Sequence, residues 1–304
     1  MHATHSPDHR RRTLLMAGAL AWPAKAAQAG PGTGMRMLVA YPAGGISDLV
    51  ARALAEDLAR QWSVAVVVEN RPGASGTLAL ELLARSTPDG RTLAFAAATA
   101  AGMANAAVAP VAGVMRTPML LVGTPALKAT DFAGMLAEAR DLAGGIRWAT
   151  TGEGTTGHAV LRRIGQASGI PIVHVPYKGG GQQLNDALAG HFELLSTNVA
   201  PLQLQALRAG RLKALAVGAP RRLAVLPGVP TLAELGHARA NLDSLFGLFA
   251  PPRTPPAVVE HIHAGVVQAL HGSTIRSRLE AAGNQPFEGS TTDFARQVAR
   301  ETGR

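Results

Sequence analysis

Short apolar runs, glycine-rich turns and helical patterns alternate along most of this chain. The run MRMLVAY (residues 35–41) has the length of a buried strand, and YPAGGISD and then SDLVARALAEDLARQ follow it. Apolar residues at helical spacing predict one buried helix face there, made of Leu49, Val50, Ala53, Leu54 and Leu58. Ser47 is the expected N-cap, and Asp48 stands in the first turn, where a carboxylate suits the helix dipole.

The same three steps recur further on. VAVVVEN, RPGASG and TLALELLARS predict a strand, a turn and a helix, and IRWATTGEGTTGHAVLRRIGQASG and IPIVHVPYKGGGQQLNDALAG repeat the order. The segment TDFAGMLAEARDL predicts a helix with Thr130 as its N-cap. Alternation of this kind indicates an α/β fold with a largely parallel sheet.

Two segments, TPMLLVGTP and LFGLFAPPRTPP, combine an apolar run with prolines. We interpret them as the places where the chain crosses between two α/β lobes, with a hinge near Val122 and Phe249. Residues 30–122 with 246–304 then form lobe 1, and residues 123–245 form lobe 2. The alternative is one continuous doubly wound domain, although chains beyond about 250 residues tend to split.

Four loops share one design, in which glycines follow a predicted strand and open a predicted helix: YPAGGISD, NRPGASGT, TTGEGTTGH and PYKGGGQQ. In an open α/β sheet this is the carboxyl end of the strands, where ligands bind. Free N–H groups and the helix dipole favour an anion at such a position, and glycine lets the backbone approach it. Ordinary strand-to-helix turns also favour glycine, so one such loop is weak evidence for a ligand site, and it is the repetition of four that indicates one.

Motifs that would identify a nucleotide site or a catalytic site are missing from the sequence. No loop reads GxxxxGK[ST] or GxGxxG in the required context, and HExxH and GxSxG are absent, so we expect no catalytic residue and no cofactor. His158, His174 and His191 lack metal-ligand spacing, and no metal site is expected. The formal charge of +9 is scattered without aromatic-flanked basic runs, which argues against nucleic-acid binding.

Residues 1–29 resemble a secretory signal peptide rather than part of a fold. Arg10, Arg11 and Arg12 precede an apolar run from Leu14 to Trp22, which is too short to span a membrane, and the small-residue site AQA follows. The paired arginines also suit twin-arginine export, and the alternative is a disordered basic tail. We therefore expect a soluble, exported, periplasmic protein. The chain has no cysteine, which is compatible with export but does not argue for it.

Taken together, these blocks resemble the tripartite tricarboxylate transporter receptor family, also called Bug periplasmic solute-binding proteins. The resemblance is carried by VAYPAGGISDLVARALAEDL, VVVENRPGASGTLALELLARSTPDGRTL, WATTGEGTTGHAV, VPYKGGGQQLNDALAGHFELLSTN, LQALRAGRLKALAVGAPRRLAVLPGVPTLAELG and LFGLFAPPRTPP. It implies a two-lobed periplasmic-binding-protein fold (Venus flytrap, type II) with two doubly wound sheets and a hinge. It also implies a receptor without enzymatic activity that binds a small organic carboxylate for a membrane permease.

The resemblance also implies ligand-binding residues, which lie mostly in the glycine loops. They are Tyr41, Ala43, Gly44, Gly45, Asp48, Ala74, Ser75, Thr150, Thr151, Thr155, His158, Tyr177, Lys178 and Asn198. We expect a monomer with no nucleic-acid partner. Two other functions stay open from the sequence: a ligand-sensing partner of a signalling protein, and a small-acid hydrolase or lyase that uses His158 or Asp48 as its base.

Overall fold

Strands and helices alternate through residues 34–302, the part of the chain that the computed structural model describes. The strands are β1 (Met35–Val39), β2 (Val66–Asn70), β3 (Thr92–Ala97), β4 (Ala109–Gly123), β5 (Ile146–Thr150), β6 (Ile172–Pro176), β7 (Leu194–Asn198), β8 (Lys213–Gly218), β9 (Asp243–Ala250) and β10 (Gln285–Pro286). The helices are α1 (Ile46–Trp62), α2 (Thr77–Ala84), α3 (Ala98–Met103), α4 (Phe132–Asp141), α5 (Thr156–Ser168), α6 (Gly180–Leu188), α7 (Pro201–Arg208), α8 (Pro256–His271), α9 (Ser273–Ala281) and α10 (Thr291–Thr302). The expected signal peptide, residues 1–29, lies outside the described residues.

The strands follow the order β2-β1-β3-β9-β4-β7-β5-β6, and β8 and β10 also pair with β4. β1 pairs in parallel with β2 and β3, and β5 pairs in parallel with β6 and β7. β4 joins the two groups, because Ala109–Pro118 pairs with β9 and Met119–Gly123 pairs with β7 and β8. We call the β1, β2, β3, β9 and β10 side the first half of the sheet, and the β5 to β8 side the second half.

Helices cover both faces of each half, because alternate strand residues point to opposite faces. Met37 and Val39 of β1 pack with α1, α8 and α9, whereas Leu38 between them packs with α2, α3 and α10. In the second half, Trp148 of β5 packs with α4 and α5, and its neighbour Ala149 packs with α6 and α7. The doubly wound α/β character expected from the sequence is therefore confirmed.

The centre of the sheet differs from the largely parallel expectation. β4 runs antiparallel to β7, β8, β9 and β10, so the sheet is mixed. The sequence signal for the first part of β4 was weak, since Pro110 and Pro118 lie within it. The register shifts between Pro110 and Ala112, where an irregular strand tolerates a residue without an N–H donor.

Three local expectations were wrong. Gly45, not Ser47, is the N-cap of α1, because the left-handed φ of Gly44, +83°, turns the chain so that the helix starts two residues earlier. Asp131, not Thr130, caps α4, and its carboxylate accepts the Gly134 N–H at 2.7 Å. Leu49 is 46% exposed rather than part of the buried face of α1, because it sits at the start of the helix, beside a cavity.

The predicted lobe boundaries and hinge stay a prediction. Residues from Gly34 onward form one compact unit, and the long strand β4 runs through both halves of the sheet. Among the helices of residues 34–302, none combines the length and the apolar character that a membrane crossing needs.

Candidate functional site

A cavity of about 110 Å³ lies at the carboxyl ends of β1, β3, β5 and β7. A single buried water needs only ~10–15 Å³, so the cavity has room for a small organic molecule. Its polar lining residues are Tyr41, Ser47, Thr99, Thr151, Thr155, Thr156, Ser196, Thr197, Asn198, Gln203 and Ser244. Its apolar lining includes Ile46, Leu49, Ala97, Met119, Leu184, Leu202 and Phe246. We call this space the central cavity.

Four helices, α1, α5, α6 and α7, begin at the central cavity. Their first-turn N–H groups find no acceptor among the described hydrogen bonds: Ile46 and Ser47, Thr156 and Gly157, Gly180 and Gly181, and Leu202 and Gln203. Each helix N-terminus carries a partial positive charge and stabilises a nearby anion by about 0.3–1 kcal/mol. Among the described residues that line the cavity there is no Asp, Glu, Lys, Arg or His. Backbone N–H groups and hydroxyls therefore supply its positive character.

Asp48 holds the β1–α1 loop rather than facing the cavity. Its buried carboxylate accepts the Gly44 N–H at 2.9 Å and the Asn70 amide at 2.8 Å, and it pairs with Arg52. Burial alone would raise the pKa of Asp48, but the hydrogen bonds from Arg52, Gly44 and Asn70 outweigh it and lower that pKa. The loop between Tyr41 and the start of α1 is thus fixed by an ionised carboxylate behind it.

A second polar group lies behind the loop that opens α5. Thr150 is buried, and its hydroxyl is hydrogen-bonded with His174 Nε2 at 2.7 Å and accepts the Gly152 N–H at 3.1 Å. His158 Nδ1 accepts the Gly154 N–H at 3.1 Å, and its ring stacks on that of His174 at 4.7 Å. Burial lowers the pKa of both histidines. Neutral imidazoles therefore hold this loop at neutral pH.

The aromatic wall of the cavity comes from the first half of the sheet. Phe246 of β9 lies edge-on to Tyr41 at 5.8 Å and stacks with Phe95 at 6.1 Å. The Tyr41 hydroxyl accepts the Ala97 N–H at 3.2 Å, and burial raises the pKa of Tyr41 to about 12. Tyr41 therefore keeps its proton, which is available for donation to a bound acceptor.

The polar floor comes from the ends of β7 and β9. Ser244 donates to Asn198 Oδ1 at 2.9 Å, so the Asn198 amide nitrogen is left to donate elsewhere. The buried Trp148 indole donates to Ser196 Oγ at 2.8 Å, which leaves the Ser196 hydroxyl proton free for another acceptor. The floor therefore adds side-chain donors to those of the four helix starts.

Contacts across the cavity join loops from the two halves of the sheet. Ser75 donates to the Glu153 carbonyl at 2.9 Å, although the two residues lie 78 positions apart. Pro42 packs on Gly179 so closely that a Cβ there would lie 2.5 Å from Pro42 Cδ. These contacts require the two sets of loops to lie close together, as in a closed binding site.

The predicted site residues divide into two groups. Six line the central cavity: Tyr41, Gly44, Gly45, Thr151, Thr155 and Asn198. The other eight lie outside its wall: Ala43, Asp48, Ala74, Ser75, Thr150, His158, Tyr177 and Lys178. Asp48, Thr150 and His158 fix the loops from behind, and Ser75 bridges to Glu153. The Tyr177 hydroxyl donates to Asp186 at 2.7 Å, away from the cavity.

Several lining residues were missed in the sequence. They are Ser47, Thr99, Thr156, Ser196, Thr197, Gln203 and Ser244. The β7–α7 junction, STNVAPLQ, is also a strand end that opens a helix, so the rule applied to the four glycine loops could have found it. It was passed over because it has no glycine. Thr99 stands at the same kind of junction, where β3 ends and α3 begins, whereas Ser244 carries no local signal, since only the sheet order places it here.

An α/β fold of this type, with a small cavity rich in hydrogen-bond donors at the strand ends, is typical of periplasmic solute-binding proteins. The chain belongs to the tripartite tricarboxylate transporter receptor family, whose family model matches residues 50–304. No group of three or more His, Cys, Asp or Glu residues that could hold a metal ion occurs in the described part of the chain.

Individual relatives are similar over most of their length. Protein BugT of Bordetella pertussis is 30% identical over 84% of this chain and 82% of its own. MatC of Rhodopseudomonas palustris, solved with bound malate, is 27% identical with a TM-score of 0.83 and covers 90% of this chain and 98% of its own. Rpa4515 of R. palustris, solved with adipate, is 28% identical with a TM-score of 0.82, covering 90% and 95%.

Proposed function

We propose that this protein is a periplasmic receptor that binds one small organic carboxylate and delivers it to the membrane permease of a tripartite transporter. The observation that carries the proposal is the convergence of four helix N-termini, with free N–H groups, on a cavity whose described lining residues carry no charged side chain. Such a cavity favours an anion that is small enough to be surrounded by backbone donors. The malate and adipate bound by two structural relatives belong to that chemical class.

The proposed mechanism is a hinged closure of two lobes on the ligand. Tyr41 and the start of α1 would hold a carboxylate from one side, and Thr155 with the start of α5 from the other. The Ser75–Glu153 hydrogen bond and the Pro42–Gly179 contact would form only in the closed state. A ligand shifts such an equilibrium only through contacts that differ between the two states. A carboxylate that touches both lobes makes such contacts, because it reaches both lobes only in the closed state.

Catalysis has little support in this geometry. Asp48 and His158 were the candidate bases, and both side chains are engaged by backbone N–H groups of their own loops rather than by the cavity. We therefore propose a binding protein that returns its ligand unchanged. Export through the N-terminal signal sequence belongs to the same proposal.

The test is calorimetric titration of the chain from residue 30 onward, refolded to remove any carried ligand. Malate, succinate, adipate and citrate form the panel, and the corresponding neutral diamides, with the triamide for citrate, are the controls. We expect micromolar or tighter binding of at least one acid at unit stoichiometry and none of its diamide. Equal binding of the acid and its diamide would show that the site does not select a carboxylate. Consumption of the ligand, followed by NMR, would favour an enzyme instead.

A further inference from the structure

A second space of about 460 Å³ opens beside the central cavity, between α1, α7 and α9. It is lined by Ile46, Leu49, Val50, Ala53, Pro201, Leu204, Arg208, Ile275, Arg278, Ala281 and Ala282. We call it the α1–α7 groove. Ile46, Leu49 and Pro201 line both spaces, so the groove adjoins the central cavity at these three residues.

Most of the groove is apolar, and its mouth is open. Val50, Leu204 and Ile275 form its buried base, whereas Leu49 at the border with the cavity is 46% exposed. The exposed Leu49 side chain extends the apolar lining of the groove to that border. The groove therefore suits an alkyl chain better than water.

Two guanidinium groups stand at the groove without a partner. Arg208 and Arg278 are exposed, and neither side chain has a hydrogen bond or ion pair among the described residues. Other arginines in the same part of the chain, such as Arg52 and Arg276, are paired with carboxylates. An apolar groove with two unpaired cations fits an alkyl chain that ends in an anionic group.

The length of the groove sets the length of that chain. Pro201 begins α7 at the cavity and Arg208 ends it, so the two are about 10 Å apart along the helix axis. Ile46 and Ala53 are separated by the same rise along α1. Adipate is shorter than this distance, whereas an extended sebacate matches it.

We propose that the α1–α7 groove is a second subsite, which takes the far end of an elongated dicarboxylate whose near carboxylate lies in the central cavity. The alkyl chain would pass Leu49 and Pro201, and the far carboxylate would meet Arg208 and Arg278. This inference rests on the proposed function, because the near carboxylate needs the helix N-termini. It extends the substrate class from short acids such as adipate to longer linear α,ω-dicarboxylates such as sebacate.

The test is a titration series with adipate, suberate, sebacate and decanoate, the last being the monocarboxylate of the same chain length as sebacate. We expect sebacate to bind more tightly than decanoate, by about two- to fivefold for each arginine contact, as for exposed ion pairs. An Arg208→Gln, Arg278→Gln double variant should lose that advantage and keep its affinity for adipate. Arg211→Gln, beyond the end of α7 and outside the groove, is the matched control and should change neither.

A second variant tests the groove without changing charge. Ala53→Leu places a larger side chain into the empty space and should weaken sebacate and decanoate while sparing adipate. The second subsite is rejected if the unchanged protein binds sebacate and decanoate equally, or if the double variant keeps the sebacate advantage. In either case the proposed function stands as long as adipate still binds. Failure of every acid to bind would overturn the proposed function as well. Sebacate binding at a stoichiometry of two would place it outside the joined site and also reject the proposal.

Discussion

Replacing Gly179 with alanine tests whether the two sets of loops must approach each other for binding. A Cβ at this position would lie 2.5 Å from Pro42 Cδ and 2.7 Å from Cγ, closer than non-bonded carbon atoms approach. Carbon atoms prefer about 3.5–4.0 Å, so the loops would have to separate by roughly 1 Å or more. Gly179 has an extended φ of 175°, which alanine also adopts, so the backbone itself is not strained.

The expected result is weaker binding without loss of stability. Overpacking a close contact costs about 1–3 kcal/mol, and the closed state alone should bear this cost, which raises Kd by about 5- to 150-fold. Without ligand the protein can relax by opening, and removing a glycine from the unfolded chain adds a few tenths to about 1 kcal/mol of stability. The melting temperature should therefore stay level or rise.

Calorimetry gives the Kd for the best acid of the panel, and thermal unfolding gives the stability. Gly144→Ala is the matched control, because Gly144 does not line the cavity, has no positive φ, and its Cβ would meet no atom within 4 Å. It should bind as the unchanged protein does. If Gly179→Ala also binds with unchanged Kd, the Pro42–Gly179 contact does not belong to the bound state, and the closure argument fails.

Three further predictions concern the loops behind the cavity. Asp48→Asn should destabilise the fold by about 1–3 kcal/mol in urea unfolding, since the charged acceptor of the Gly44 N–H is lost; an unchanged midpoint would contradict its structural role. Burial holds the pKa of His158 below its unfolded value of about 6.5, so the unfolded chain takes up the proton first, and stability should fall as pH drops from about 6.5 through the lowered pKa. His158→Gln should reduce that fall, and an identical pH profile would show that the ring that accepts the Gly154 N–H is not its source. Thr155→Ala should lower the free energy of unfolding by about 0.5–2 kcal/mol, because the cap of α5 is lost, whereas Thr155→Ser should keep most of that stability. Equal losses in the two variants would assign the effect to the methyl group.

Much of the fold could be predicted because its signals are local. The apolar runs and glycine turns identified the strands and helices around β1, β2, β5 and β6, and the rule that ligands lie at the carboxyl ends of strands pointed to the α1 and α5 loops. The first part of β4 escaped, since prolines and small residues obscure a strand whose partners, β9 and β10, come more than 100 residues later.

The candidate site was predictable in its backbone but less so in its side chains. Gly44, Gly45 and Thr155 line the cavity because a short loop between a strand and the next helix must lie at the end of that strand. Asp48 and His158 have the polar chemistry of a binding residue, yet they turn away to hold their own loops. No pattern along the chain distinguishes the two outcomes, since the choice depends on partners such as Asn70 and His174.

The sequence by itself determined the alternation of strands and helices, the glycine-led helix starts and, through its ordered motifs, the family. These depend on backbone freedom and hydrophobic periodicity within a few residues, which the chain carries locally. Only the tertiary structure decided that four helix starts face one cavity, that Ser244 joins them, and that Leu49 borders an open groove. Those features depend on strand order and on contacts between distant segments, which packing of the whole core selects and no local pattern encodes.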